Sequence, residues 1–134
     1  MPNIAIWKGH AVTVNEWHGV APKFVYKDGK KRKIHVIYKT PAYRSFVRSL
    51  ATAFKQQLEP VDGYIEVDLL LILDAKKDTD GPFKPIFDAL ELAGICSNDR
   101  LNHKGSYDRY DDDSGVDTII VSVKKLVRDD EEKG

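Results

Sequence analysis

The ten residues from Tyr64 to Leu73 constrain the fold more than any other stretch. Ile65, Val67, Leu69, Leu71 and Leu73 lie on one side of an extended chain, because successive strand side chains point to opposite faces. The other side opens with Glu66 and Asp68 and turns apolar at Leu70 and Ile72. Such a strand is expected to begin half exposed and end buried on both faces, which suits the centre of a sheet. Its purely apolar run, Leu69 to Leu73, is far too short to cross a bilayer, so no membrane role is expected.

The remaining elements are read around that strand. Ile4 to Trp7 and Ala11 to Val14 alternate as short strand pieces, with a polar-aromatic loop from Asn15 to Gly19. Lys23 to Tyr26 and Lys33 to Lys39 flank Asp28-Gly29, a tight-turn signal, so a basic hairpin is expected, with Lys30-Lys31-Arg32-Lys33 at its tip. Thr40-Pro41 supplies an N-cap and a proline at the first helical position, and Tyr43, Phe46, Val47, Leu50, Phe54 and Leu58 then follow helical spacing up to Pro60. Arg44, Arg48 and Lys55 fall on other faces of that helix. A second helix is predicted from Pro85 to about Ala93, with Ile86, Leu90 and Ala93 inward and Gly94 as its left-handed stop. A polar edge strand from Leu101 to Tyr110 and a strand buried on both faces from Val116 to Val123 follow, joined by Asp111 to Gly115 read as a hairpin tip. The expected fold is α+β: one domain over 1–134, a mixed sheet carrying two main helices, with 128–134 a frayed charged tail.

Charge divides this domain in two. Residues 1–58, the hairpin and first helix, hold eleven Lys/Arg against two acids, whereas 59–134 hold ten against nineteen. The formal net charge of zero therefore hides a basic half beside an acidic one. Phosphate-backbone binding coupled to metal-dependent cleavage needs that combination; two solvated faces of opposite sign is the plainer reading. Cys96 is the only cysteine, so neither an internal disulfide nor a cysteine zinc site is available, in keeping with a reducing cytosol. The opening Met1-Pro2-Asn3 lacks the basic and apolar segments of a secretory signal, and a cytoplasmic protein is expected.

The acidic part, 59–127, contains the chemistry. Directly after the central strand come Asp78 and Asp80, spaced so that extended backbone would project both to the same side, and Asp99 follows the second helix. Gathering carboxylates is costly because like charges repel, and a divalent cation is the usual reason for doing it. All-oxygen donors suit Mg²⁺ or Mn²⁺. Lys84 lies at the mouth of the second helix, where the macrodipole disfavours a cation unless it has a phosphate or a developing negative charge to meet. A weak i to i+4 pair with Asp88 is its structural alternative. Asn98, beside Asp99, can orient a water or a ligand.

Competing motifs fit less well. An EF-hand ending its turn at Gly81 would put Lys76 and Phe87 where oxygen ligands belong. Asp78-Thr79-Asp80 also reads as the DxD of a nucleotide-sugar transferase, and Asp62 with Asp74-Ala75-Lys76 is similar to another metal-dependent nuclease motif. There is no nucleotide-phosphate loop, GxSxG elbow or HExxH helix, and no nucleotide cofactor is expected; His10, His18, His35 and His103 lack metal-ligand spacing among themselves.

The run Asp78-Thr79-Asp80-Gly81-Pro82-Phe83-Lys84-Pro85-Ile86-Phe87-Asp88-Ala89-Leu90, followed by Gly94 and Asn98-Asp99, resembles the signature of RusA-type Holliday junction resolvases. Upstream, Val14-Asn15-Glu16-Trp17 and Tyr43-Arg44 are similar to that family's Asn-containing loop and helical Tyr-Arg pair, so the resemblance spans roughly 12–123. It implies Asp78, Asp80 and Asp99 as catalytic metal ligands, Lys84 as the essential lysine, and Asn98 and Asp88 in support. It also implies a homodimer that nicks four-way DNA junctions with Mg²⁺, in a bacterial or phage-infected cell. Lys30, Lys31, Arg32, Lys33, Arg44, Arg48 and Asn15 are the expected DNA contacts. Gly81 departs from the family, which often has Asn there, and Asn98 stands where a further acid is common. A non-catalytic branched-DNA-binding protein on the same fold is the alternative from another class, and a small DxD transferase the third.

Overall fold

The computed structural model describes residues 3–13, 16–97 and 102–126. Among the described residues, six strands and two helices follow one another as β1 (Ile4–Gly9), β2 (His18–Lys27), β3 (Lys30–Lys39), α1 (Pro41–Gln57), β4 (Ile65–Leu73), α2 (Phe83–Leu92), β5 (Asn102–Asp111) and β6 (Asp117–Lys125). Four strands form one sheet in the order β1-β6-β4-β5, and β2 and β3 form a separate two-stranded sheet. The fold is therefore α+β with a mixed sheet: β4 runs parallel to β5 and antiparallel to β6, and β6 is antiparallel to β1.

As expected, β4 is an interior strand and β5 an edge. Ile65, Val67, Leu69, Leu71 and Leu73 are buried on the face that meets the helices, level with Val123, Val121 and Ile119 of β6. The opposite face corrects the expected pattern. Leu70 and Ile72 are only half-buried, whereas Glu66 at the strand's start is buried between Lys104 and Lys124, which pair with it at 3.4 and 2.7 Å. In β6, likewise, only alternate residues are buried, because the core lies on one side of the sheet.

Both helices end as their sequences dictate. Thr40 caps α1 by accepting from the Tyr43 amide at 3.2 Å, and Pro41 occupies the first turn. The apolar stripe Tyr43, Phe46, Val47, Leu50, Ala51 and Phe54 is buried, with Phe46 edge-on to Trp7 of β1 at 5.0 Å. α2 starts two residues earlier than predicted, at Phe83, whose amide donates to the Asp80 carbonyl at 3.2 Å and draws the chain into the helix ahead of Pro85. It stops at Gly94, φ 75°, where the Gly94 and Ile95 amides return to Glu91 and Leu90 at 3.0 Å each. This Schellman closure turns the chain left-handed at little cost only because Gly94 has no Cβ.

Two connections differ from the sequence reading. The segment 11–13 is not a strand, because its backbone bonds go to side chains: Ala11 N–H donates to Asp117 at 2.8 Å, and the Ala11 carbonyl accepts from Lys77 at 2.8 Å. Asp111 to Gly115 is not a hairpin tip, since β4 lies between β5 and β6. The link passes over the end of β4, where the Asp112 amide donates to the Leu73 carbonyl at 2.9 Å, and Asp112 accepts from the Ser114 hydroxyl at 2.6 Å. Those acids serve turn chemistry.

Candidate functional site

The stretch from Asp74 to Pro82 leaves the end of β4 and enters α2. Its first turn is local: the Asp74 side chain accepts the Lys76 amide at 2.9 Å, and its carbonyl accepts the Lys77 amide at 2.9 Å. The loop is then held from two sides. On one, Lys77 Nζ meets the Asp117 carboxylate at 2.5 Å, and the other Asp117 oxygen accepts the Asp74 amide at 3.0 Å. His10 Nδ1 lies 3.1 Å from the same ammonium. On the other, Arg109 of β5 donates to the Lys77 carbonyl (2.6 Å), the Thr79 hydroxyl (2.9 Å) and the Asp74 carbonyl (3.0 Å), and pairs with Asp111 at 3.2 Å.

Asp117 is 2 % exposed. Burial alone would raise its pKa, but the Lys77 hydrogen bond, the Asp74 and Ala11 amides and the Lys77 charge outweigh it and hold the carboxyl below its ordinary value of 3.8. An ion pair this enclosed is kept in one geometry by the backbone groups around it, so it fixes the loop.

Asp78 and Asp80 both lie exposed on this pinned loop, in irregular backbone and not in an extension of β4 as the spacing argument assumed. Asp99 and Asn98 lie outside the described residues, as does Asn15. Among the described residues no three His, Cys, Asp or Glu side chains group as a metal site. Two of the three expected donors are thus in view, and as carboxylates both have the hard oxygen chemistry that Mg²⁺ or Mn²⁺ takes.

Gly81 has a packing reason to be a glycine. A Cβ there would come within 2.5 Å of the Val12 carbonyl and 3.1 Å of Thr13 Cα, so the loop and the 12–13 segment touch backbone to backbone. Trp17 seals the contact by donating from its indole N–H to the Gly81 carbonyl at 2.8 Å. The upstream loop is in this way joined to the acidic one.

At the helix mouth, Lys84 pairs with Asp88 at 3.5 Å, the i to i+4 alternative, and remains half exposed. Asp88 also accepts from the Tyr43 hydroxyl and lies 3.6 Å from Lys39, whose ammonium sits 5.2 Å from the Tyr43 ring centre. Burial, then the Asp88 hydrogen bond and charge, push the Tyr43 phenol well above its ordinary value of 10.0, so it stays a donor. Arg44 and Arg48, both exposed on α1, line an open groove of about 430 Å³ with Lys39, Asp88 and Glu91.

Lys30 to Lys33 are exposed, but they form the start of β3 and not a loop. The turn is Asp28-Gly29 alone, with φ 55° and 75°, the left-handed pair of a two-residue hairpin. The hairpin is rooted at the site: Thr40 N–H donates to the Trp17 carbonyl at 3.1 Å, and Trp17 packs edge-on to Tyr43 at 6.2 Å.

The sequence reading missed Asp117, Lys77, Arg109 and the structural part of Trp17. Each looks ordinary in one dimension: an acid before an apolar strand, a lysine among lysines, an arginine in a polar strand. Only the strand order brings them to one loop. Comparison with known proteins gives no family model that matches the sequence and no match among curated proteins, so the reading rests on these residues.

Proposed function

We propose that this protein is a Mg²⁺-dependent, structure-specific endodeoxyribonuclease of RusA type, acting as a homodimer on four-way DNA junctions in the cytoplasm. The observation that carries the reading is the clamped loop: Asp78 and Asp80 project from a segment fixed by a buried ion pair and by Arg109, directly before Lys84 and beside a basic hairpin. Cleavage of a phosphodiester is served by carboxylates in fixed positions.

Asp78 and Asp80, with Asp99, would hold the ion. When bound, Mg²⁺ supplies charge neutralisation at the phosphate and a water of lowered pKa. Asp117, Lys77 and Arg109 keep the carboxylate loop from shifting. Lys84, shared with Asp88 and half exposed, offers its ammonium to a phosphate oxygen or to charge developing on the leaving oxygen. Arg44 and Arg48 on α1 and Lys30 to Lys33 on the hairpin hold the DNA backbone.

The non-catalytic reading draws on one observation: Lys84 is engaged by Asp88 and not by Asp78 or Asp80 among the contacts described. A synthetic four-way junction incubated with Mg²⁺ and either the protein or its Asp80→Asn variant separates the two. Paired nicking by the protein alone supports the nuclease. Junction binding that ignores Mg²⁺ and the substitution, with no cleavage by either, supports the binding protein.

A further inference from the structure

The β2–β3 hairpin has a feature that its cations do not explain. Residues paired across a ladder share a face, so Phe24 lies with Lys33, Tyr26 with Lys31, and Pro22 with His35, and Ile37 continues the row. This face is open: Phe24 is 55 % exposed, Tyr26 74 % and Ile37 70 %. Lys31 Nζ stands 4.4 Å from the centre of the Phe24 ring, so cation and aromatic already form one unit. Seven Lys/Arg, Lys39 included, and a single acid, Asp28, lie in the span from His18 to Lys39.

We infer that this face binds single-stranded nucleic acid, stacking unpaired bases on Phe24 and Tyr26 while Lys31 and Lys33 hold the adjoining phosphates. Duplex binding needs only the cations, because paired bases keep their π-faces inside the helix. Exposed rings interleaved with cations suit bases that have left the stack. An apolar protein groove would leave the cations without anionic partners, and an anionic lipid surface would pair the cations but offer Phe24 and Tyr26 no flat ring to stack on. A second copy of the hairpin would bring two strongly positive ribbons together, which repel. The inference deepens the DNA-processing reading by naming unpaired bases at a branch as the hairpin's target. Position agrees, since the hairpin is rooted through Trp17 and Thr40 on the loop that carries Asp80 and Gly81.

The test measures fluorescence anisotropy of the full chain with an oligothymidylate of about twenty nucleotides and with a blunt duplex of equal phosphate number, across a salt series. Phe24→Ala/Tyr26→Ala should weaken single-strand binding by about tenfold or more and leave duplex affinity and its salt slope unchanged. Phe24→Tyr/Tyr26→Phe should retain single-strand affinity, and circular dichroism should show both double variants folded. Lys31→Gln/Lys33→Gln should weaken both ligands and lower the salt slope by about one to two. Unchanged single-strand binding by the alanine variant overturns the inference, as does equal loss on both ligands. A shift in sedimentation with no change in nucleic-acid affinity overturns it in favour of self-association. Run without Mg²⁺, the assay reads binding apart from cleavage, so a failure of the nuclease reading leaves this result readable.

Discussion

At Asp117 a carboxylate with 2 % exposure receives the Lys77 ammonium and the amides of Ala11 and Asp74. Asp117→Asn leaves the Lys77 ammonium enclosed without its counter-charge. Removing one partner of a buried pair costs about 3–5 kcal/mol, and urea unfolding should register a loss of that order. The pH dependence follows from the depressed pKa. The unfolded state takes up a proton near 3.8 and the folded state only below it, so the stabilisation is complete above 3.8 and disappears as pH falls toward the folded value. The acid limb of the unfolding profile should therefore be shallower in Asp117→Asn; equal slopes would contradict the assignment. None of this was legible in the sequence, where an aspartate before an apolar strand looks like any strand-opening residue. Lys84 was legible for its awkward place in a first helical turn, but its contact with Asp88 is the modest pairing that the spacing alone also allows.

Among the elements, α1 and α2 could be read almost to the residue because their signals are local: Thr40-Pro41 at one start, Gly94 at one end, and apolar residues at helical spacing between. The strands were legible as segments but not as neighbours. β5 and β6 are consecutive, yet β4 separates them, and the order of a sheet is set by which faces must be buried, not by the turn that joins two strands. The segment 11–13 failed for a related reason, since its donors and acceptors are claimed by Asp117 and Lys77 from elsewhere in the chain. Thr40 links helix and hairpin, capping Tyr43 N–H while its hydroxyl also bonds to the Glu16 carbonyl. Thr40→Ala should cost about 1–2 kcal/mol in chemical denaturation and loosen the hairpin's base, read as faster amide exchange at Lys39 and Thr40. Slower or unchanged exchange would show that the hairpin's base does not depend on this cap.

For the whole molecule, the helices cover one face of the sheet. On the other, Ile4 and Ile6 are exposed beside half-buried Leu70, Ile72 and Ile120. No described helix is long and apolar enough to cross a membrane. That open face is available for the proposed pairing of two chains, and sedimentation equilibrium should give about twice 15.2 kDa; a monomer at tens of micromolar would remove the paired-nick part of the proposal. The basic hairpin and the acidic loop, separated in sequence by α1 and β4, meet through the Trp17 contact with Gly81. The charge division read from composition is thus a division between parts that touch. Whether the clamped loop is catalytic is tested most directly by measuring junction affinity and Mg²⁺-dependent nicking on the same samples of the protein and of Asp80→Asn. Because disturbing even the groups that support a metal ligand costs 10- to 100-fold, losing the ligand should lower cleavage by about a hundredfold or more, with binding retained. Equal cleavage by the two proteins, or none by either, would contradict it.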